Sequence, residues 1–203
     1  MENSNFLVVE DSPTMRQLIS FSLKRFKNAV KASKAKFKII MNETPIQQFY
    51  ALPYDRWEGY AAERLDLINF LMTNVPNAVF LTTDTHANFV NDVRFQTLEP
   101  GGPVDSGITE VITGPVAAMT FAKEIDSVTR SPGSGVLISG LFFKPAPLRG
   151  VGMRCVAPDV FSYAEVSVTS STLTVTSKDA GGHVVTDVTG QPCPPVVLHA
   201  QSG

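Results

Sequence analysis

Asp84 and His86 stand two residues apart where an apolar run ends, in the stretch Asn77-Ala-Val-Phe-Leu-Thr-Thr-Asp-Thr-His-Ala-Asn88. A carboxylate beside an imidazole is a ligand pair suited to Zn, Fe or Mn. Val79, Phe80 and Leu81 predict a buried parallel strand, because such strands are covered on both faces and read as unbroken apolar runs. The pair would then sit just past the strand's carboxyl end, the edge at which open α/β sheets bind ligands. An isolated Asp-x-His more commonly serves as a turn or a cap, so these two residues alone leave a structural role open.

The neighbouring elements decide what could surround them. Phe37-Lys-Ile-Ile-Met41 predicts a second buried-type strand, which ends in Asn42, Glu43, Thr44 and Pro45. If the two strands are parallel neighbours, Asn42, Glu43, Asp84 and His86 converge on one edge. Parallel pairing requires a crossover helix between them. One is available, with Glu63, Arg64 and Asp66 on its wet side and Leu67, Ile68, Phe70 and Leu71 packed. An aromatic-rich loop precedes it, with Phe49, Tyr50, Tyr54, Trp57 and Tyr60 beside Asp55, Arg56 and Glu58. Such a loop is a plug over a core or the wall of a pocket.

Upstream, Phe6-Leu-Val-Val-Glu-Asp-Ser-Pro-Thr-Met-Arg-Gln-Leu-Ile-Ser-Phe-Ser-Leu-Lys-Arg25 reads as a short strand, an acidic pair at Glu10 and Asp11, and a helix that Ser12 caps and Pro13 starts. Helix continues through Phe26–Lys34. Downstream, Asn91, Asp92 and Arg94 read as pocket-lining or surface loop, and residues 99–107 as a Gly/Pro loop. Ile108–Thr113 is an expected strand ended by Gly114-Pro115, and Ala117–Ile125 an expected short helix. Ser131-Pro-Gly-Ser-Gly135 lacks the Lys-Ser/Thr of a phosphate-cradling loop and reads as surface loop. Period-two alternation in Tyr163–Thr169, Thr172–Lys178 and His183–Thr189 predicts a β-meander. His183 is expected in a strand with no acidic partner, and His199 in the tail.

At 203 residues, 43% hydrophobic, the chain has material for one sizeable core. A net charge of −2 gives no long-range attraction to nucleic acid or to an anionic membrane. The basic cluster Lys24, Arg25, Lys27, Lys31, Lys34, Lys36 and Lys38 reads as the solvated face of a helix and its exit. No run is long enough to span a bilayer, and the start lacks the pattern of a signal peptide. Cys155 and Cys193 are too few and too far apart for a metal knuckle. They close a strand-rich segment as a disulfide, in an exported protein, or stay as buried thiols.

Residues 6–25 resemble the opening of a CheY-like receiver domain, in which the acidic pair helps hold a divalent cation. A phosphoacceptor Asp and the later Thr/Ser and Lys positions do not follow in order, so phosphorelay is not expected. From about Phe26 a different resemblance takes over. Lys36-Phe-Lys-Ile-Ile-Met-Asn-Glu-Thr-Pro-Ile-Gln-Gln-Phe49, Asp55-Arg-Trp-Glu-Gly-Tyr-Ala-Ala-Glu-Arg64, Val79-Phe-Leu-Thr-Thr-Asp-Thr-His86 and Ile108-Thr-Glu-Val-Ile-Thr-Gly-Pro115 occur in one order. Together they resemble the carboxyl-terminal portion of PhoD-type alkaline phosphatases, relatives of the metallophosphoesterases.

That resemblance implies a division into a receiver-like segment, residues 1–25, and a phosphatase portion, residues 26–203. It implies an α/β fold: a partial metallophosphoesterase-like sandwich with a carboxyl-terminal meander. Asp84 and His86 match the family's late Gly-Asp-x-His motif, with Thr83 in place of the Gly, and are the implied metal ligands and catalytic residues. Trp57, Tyr60 and Arg64 match a segment that shapes the pocket rim and anchors the helix. Asn42, Glu43 and Asn88 are assigned to the pocket and its supporting hydrogen bonds. The implied cofactor is a Ca and Fe cluster, and the implied substrate a small phosphomonoester or phosphodiester. Family members are exported. The family's early metal-binding motifs have no counterpart here, so the chain is expected to be weak or inactive by itself. A non-catalytic remnant, or a receiver-derived signalling module, are the alternative readings.

Overall fold

The computed structural model describes residues 16–48, 57–95, 101–143 and 152–200. Helix α1 (Arg16–Ala32) leads to strand β1 (Lys38–Asn42), a 3-10 turn (Trp57–Tyr60) and helix α2 (Ala61–Asn74). Strands β2 (Ala78–Thr82), β3 (Asn88–Phe95) and β4 (Val104–Ile112) follow, then helices α3 (Phe121–Thr129) and α4 (Ser134–Phe143). Strands β5 (Met153–Ala157), β6 (Ser162–Val168), β7 (Thr172–Asp179) and β8 (Val196–His199) complete the described elements. The expected strand and acidic pair at Phe6–Asp11, with Ser12 and Pro13, lie outside the described residues, as do Phe49, Tyr50, Tyr54, Asp55 and Arg56.

Five strands form one sheet in the order β1-β2-β4-β3-β5, and β6-β7-β8 form a second, antiparallel sheet. The expected pairing of the first two strands is present. β1 and β2 run parallel with Asn42 opposite Thr82, and β2 runs parallel to β4. Their crossover is α2, whose Leu67, Ile68 and Leu71 are buried. These side chains pack with Ile40, Phe80, Val93 and Ile108 on one face of the large sheet, and Leu23, Phe26 and Val30 of α1 lie against the same cluster. The implied division at residues 25 and 26 therefore falls inside one continuous helix that packs on the core from both sides of it.

On the other face, Val79, Val90 and Val111 meet Leu173, Val175 and Val196 of the small sheet. The result is a helix, sheet, sheet layering, an α/β sandwich with an antiparallel meander. Cys155 and Cys193 settle the alternative left open by the sequence: they form a disulfide across this interface, with Cα atoms 5.2 Å apart. No helix among the described residues is long and apolar enough to cross a membrane.

Several expectations change. Strand β3 replaces the expected loop around Asn91, Asp92 and Arg94. Its pattern was masked because Asn88 and Asn91 are themselves fully buried among Phe89, Val90 and Val93. The helix expected at 117–125 begins at Phe121, because Thr120 caps it by accepting the Lys123 N–H. The expected surface loop at 131–135 is a turn that opens helix α4, which is apolar all round and so carried no amphipathic signal. The third strand of the meander is β8. Residues 183–189 make only isolated bridges, because the Asp179 and Asp187 carboxylates accept nearby backbone N–H groups and fold the chain into turns. His183 also has an acidic neighbour, with Nδ1 3.5 Å from Asp179 Oδ1, and His199 ends β8.

Gly135 joins α3 and α4 at close range. A Cβ there would lie 1.8 Å from the Ala122 carbonyl oxygen, a backbone atom that cannot step aside. The Gly135 N–H donates to the Asp126 carboxylate at 2.7 Å, and this bond leads in holding that carboxyl below its usual range. Gly135→Ala is expected to cost about 1–3 kcal/mol by overpacking, read as a lower midpoint in chemical denaturation; an unchanged midpoint would show that the helices part freely.

Candidate functional site

Residues 83–87 leave β2 at its carboxyl end and return as β3. Asp84 and His86 both adopt left-handed backbone, with φ of 58° and 56°. Asp and His are among the non-glycine types that tolerate this region, so the residue types that could bind a metal also permit the turn. Such strained residues concentrate at functional sites. Thr83 is not left-handed, and its Cβ is accommodated in place of a glycine.

The loop is tied down at both flanks. Thr83 donates its N–H to the Glu43 carbonyl at 3.3 Å, and Thr113 donates to the Thr82 carbonyl at 3.0 Å. The His86 carbonyl accepts the Phe121 N–H at 2.7 Å, so the first turn of α3 holds it. Ala87, the residue after His86, is fully buried.

A cleft of about 390 Å³ opens here, lined by Glu43, Thr83, Asp84, His86, Thr113, Gly114, Pro115, Val116, Ser162, Tyr163 and Ala164. Its floor is the carboxyl edge of β1, β2 and β4, and the small sheet supplies Ser162 to Ala164. Gly114 donates its N–H to Ser162 Oγ at 3.1 Å, joining the two walls. Three of the eight sequence-assigned residues, Glu43, Asp84 and His86, meet in it. Among the described residues the lining contains two carboxylates and an imidazole and no Lys or Arg. Unless cations occupy it, such a cleft repels a phosphate.

The other five stand behind or beside it. Asn42 turns back, with Nδ2 donating to the Thr44 carbonyl at 2.5 Å. Trp57 packs on the helix-side core, and Tyr60 precedes α2. Asn88 is fully buried with Nδ2 3.5 Å from Cys155 Sγ and 3.7 Å from Cys193 Sγ, beneath the loop rather than in the cleft. Arg64, expected on the wet side of α2, is buried instead, because its guanidinium is satisfied by backbone: Nε donates to the Ile46 carbonyl at 2.6 Å and Nη2 to the Arg94 carbonyl at 2.7 Å.

Arg64 belongs to a polar hub that the sequence did not disclose. Glu110 on β4 is completely buried. Its Oε1 accepts the Ile46 N–H and the Thr82 hydroxyl, each at 2.8 Å, and its Oε2 accepts the Gln47 N–H at 3.1 Å and Asn91 Nδ2 at 3.5 Å. Burial pushes the Glu110 carboxyl above its usual value of 4.5, against the pull of those four donors. The hub holds the chain that leaves β1 beside Glu43, and so fixes one wall of the cleft.

Missed altogether was Glu124, on the first turn of α3, whose Oε1 lies 2.5 Å from His86 Nδ1. An acidic residue early in a helix is common, and only the tertiary approach of α3 distinguishes this one. Among the described residues no group of three or more His, Cys, Asp or Glu side chains could hold a metal ion. The donors at the cleft thus fit part of a metal site and not a whole one.

Residues 21–139 match a family model described as PhoD-like phosphatase. Among solved structures, the chain is similar to one described as "Structure of PhoD", at 16% sequence identity and a TM-score of 0.55. That match covers 89% of this chain and 33% of the other, so the chain spans about a third of that protein's length. At this identity the likeness establishes a shared fold. No curated protein matches.

Proposed function

We propose, from the premise that the chain belongs to the PhoD-like phosphatase family, that its cleft is the part of a metal-dependent phosphoester hydrolase site built from late-sequence ligands. The observation that carries this is the convergence of Glu43, Asp84 and His86, with no Lys or Arg among the described residues of the lining, at the carboxyl edge of parallel strands. Asp84 would hold or bridge to a hard cation such as Ca, and His86 would hold a transition metal such as Fe. When bound, such ions neutralise phosphate oxygens and make a hydroxide available at neutral pH.

The chain's own residues position and shape. Glu43 and Asp84 set the negative potential that draws cations in. The left-handed turn at residues 84 and 86 presents both ligands at the strand end, while Thr113 to Pro115 and Ser162 to Ala164 wall a space suited to a small phosphomonoester or phosphodiester. Trp57 packs against the core beneath α2, Arg64 holds the chain behind Glu43, Tyr60 stands at the start of α2, and Asn42 and Asn88 brace the two strand ends. Further metal ligands must come from outside the described set.

Metal analysis and p-nitrophenyl phosphate hydrolysis by the purified chain, supplied with Ca²⁺ and Fe³⁺, test this. Expected are substoichiometric metal, roughly 10-fold weaker or less still after Asp84→Asn or His86→Ala, and turnover near background. Metal uptake indifferent to both substitutions would sink the assignment of these ligands. Robust turnover abolished by His86→Ala would keep the reaction class and refute the claim that the chain is weak alone.

A further inference from the structure

His86 is half-buried, but the exposure is uneven around its ring. Nδ1 is sealed from solvent and forms no aligned hydrogen bond, although Glu124 Oε1 lies 2.5 Å away. The side chain keeps 31% of its surface exposed, and His86 lines the cleft. Two unprotonated atoms at that distance, an imidazole nitrogen lone pair and a carboxylate oxygen, would repel. A proton on Nδ1 turns the contact into a charge-assisted hydrogen bond after a small rotation of the ring.

We propose that Glu124 is the positioning residue of His86: its carboxylate accepts the Nδ1–H, which leaves Nε2 bare and directed into the cleft. An isolated imidazole can place its proton on either nitrogen, and only the nitrogen without it can bind a metal. In folded sites, a carboxylate on one ring nitrogen commonly fixes the other as ligand.

The surrounding structure is arranged to hold this contact. The Phe121 N–H grips the His86 carbonyl at 2.7 Å, so the first turn of α3 is bonded to the very residue whose ring Glu124 reaches. Thr120, the helix cap, donates its hydroxyl to Asp159 Oδ1 at 2.6 Å, and the Ala122 N–H donates to the Pro158 carbonyl at 3.0 Å. These bonds fix the start of α3 independently of Glu124. Lys123 is engaged by Asp126 and Asp159, 3.5 and 3.4 Å away, and leaves Glu124 to the histidine. Loss of the Glu124 side chain should therefore leave the helix in place.

The proposal rests on the metal-ligand reading of His86 for its purpose, but its test needs no metal. The tautomer of ¹⁵N-labelled His86 is read by NMR in metal-free protein at about pH 8.5, well above the ordinary histidine value. The wild-type protein is expected to carry the proton on Nδ1, and Glu124→Gln, whose amide can accept from Nδ1–H or donate to a bare Nδ1, to show a smaller preference for it. Glu124→Ala should move the tautomer ratio toward Nε2–H by about 10-fold or more, the effect of losing one bond to a charged acceptor. Amide spectra establish that the variants are folded. A proton on Nε2 in the wild-type protein, alone or with Nδ1, would overturn the proposal, and so would an unchanged ratio in Glu124→Ala. Expected tautomers with no metal uptake would defeat the metal reading and leave the role of Glu124 standing.

Discussion

Replacing Glu110 with alanine is expected to destabilise the chain by about 3–5 kcal/mol, among the largest effects open to a single substitution here. The carboxylate is fully buried and takes four donors: the backbone N–H groups of Ile46 and Gln47, the Thr82 hydroxyl and the Asn91 amide. Truncation strands all of them away from water. Each stranded buried donor costs about 1–3 kcal/mol, and not all can re-pair. The Ile46 carbonyl is meanwhile held by Arg64, so the segment cannot swing out to solvent without breaking a second buried bond. Chemical denaturation of Glu110→Ala against wild type measures this, and a loss under about 1 kcal/mol would show that the hub relaxes or fills with water.

The same group has a pH signature. Burial raises its carboxyl above 4.5 in the folded chain, so between the unfolded and folded values the native state binds more protons than the unfolded one. The stabilisation from Glu110 is then complete below about 4.5 and declines as pH rises through the folded value. Glu110→Gln has no such proton. The stability of wild type minus that of Glu110→Gln is therefore expected to fall with rising pH from about 4.5 upward, and a difference that rises would mean the four donors outweigh burial.

The second large effect is expected at the disulfide. Cys155 and Cys193 are 38 residues apart in sequence, and the bond closes a loop that contains β6 and β7. In the chain-entropy account, a crosslink over that length restricts the unfolded chain by about 4 kcal/mol, and measured losses run about 2–5. Both sulfurs are buried in the cluster that joins the two sheets, with the Asn88 amide against them. The double variant Cys155→Ala/Cys193→Ala should unfold at a lower denaturant concentration, and a strong reductant should lower wild type to a similar point while leaving the variant unmoved. Wild type indifferent to reductant would show that the bond contributes nothing. The cleft is expected to suffer as well, since Asn88 begins the strand that follows His86.

Much of this site was legible before folding. Val79 to Leu81 had to be a covered strand because no face of it is polar, and the residues after it had to lie at a sheet edge. Asn42 and Glu43 followed a second apolar run, which was expected to be covered but forms the edge strand β1 with Ile39 and Met41 exposed, and an amphipathic helix between the two runs required parallel pairing. Those three inferences place Glu43, Asp84 and His86 together without any coordinates. Arg64 was read on the wet side of its helix, and its burial was not legible, because the backbone carbonyls that receive its guanidinium leave no trace in side-chain pattern.

What remained hidden involved polar groups that are buried. β3 was invisible because Asn88 and Asn91 interrupt its apolar pattern, and their burial is tolerable only beside the disulfide and Glu110. Helix α4 lacked a polar face, and the strand expected at 183–189 gave way to turns because Asp179 and Asp187 satisfy nearby backbone N–H groups locally. By itself, then, the sequence determined the parallel strand ends, the crossover and the chemical types that meet at one edge, because these follow from local periodicity and the reach of the chain. Only the tertiary structure decided that Glu124 would approach His86, that Glu110 would gather four donors, and that two cysteines would join the sheets. Those contacts link residues distant in sequence, and their energies exist only once water has been excluded from around them.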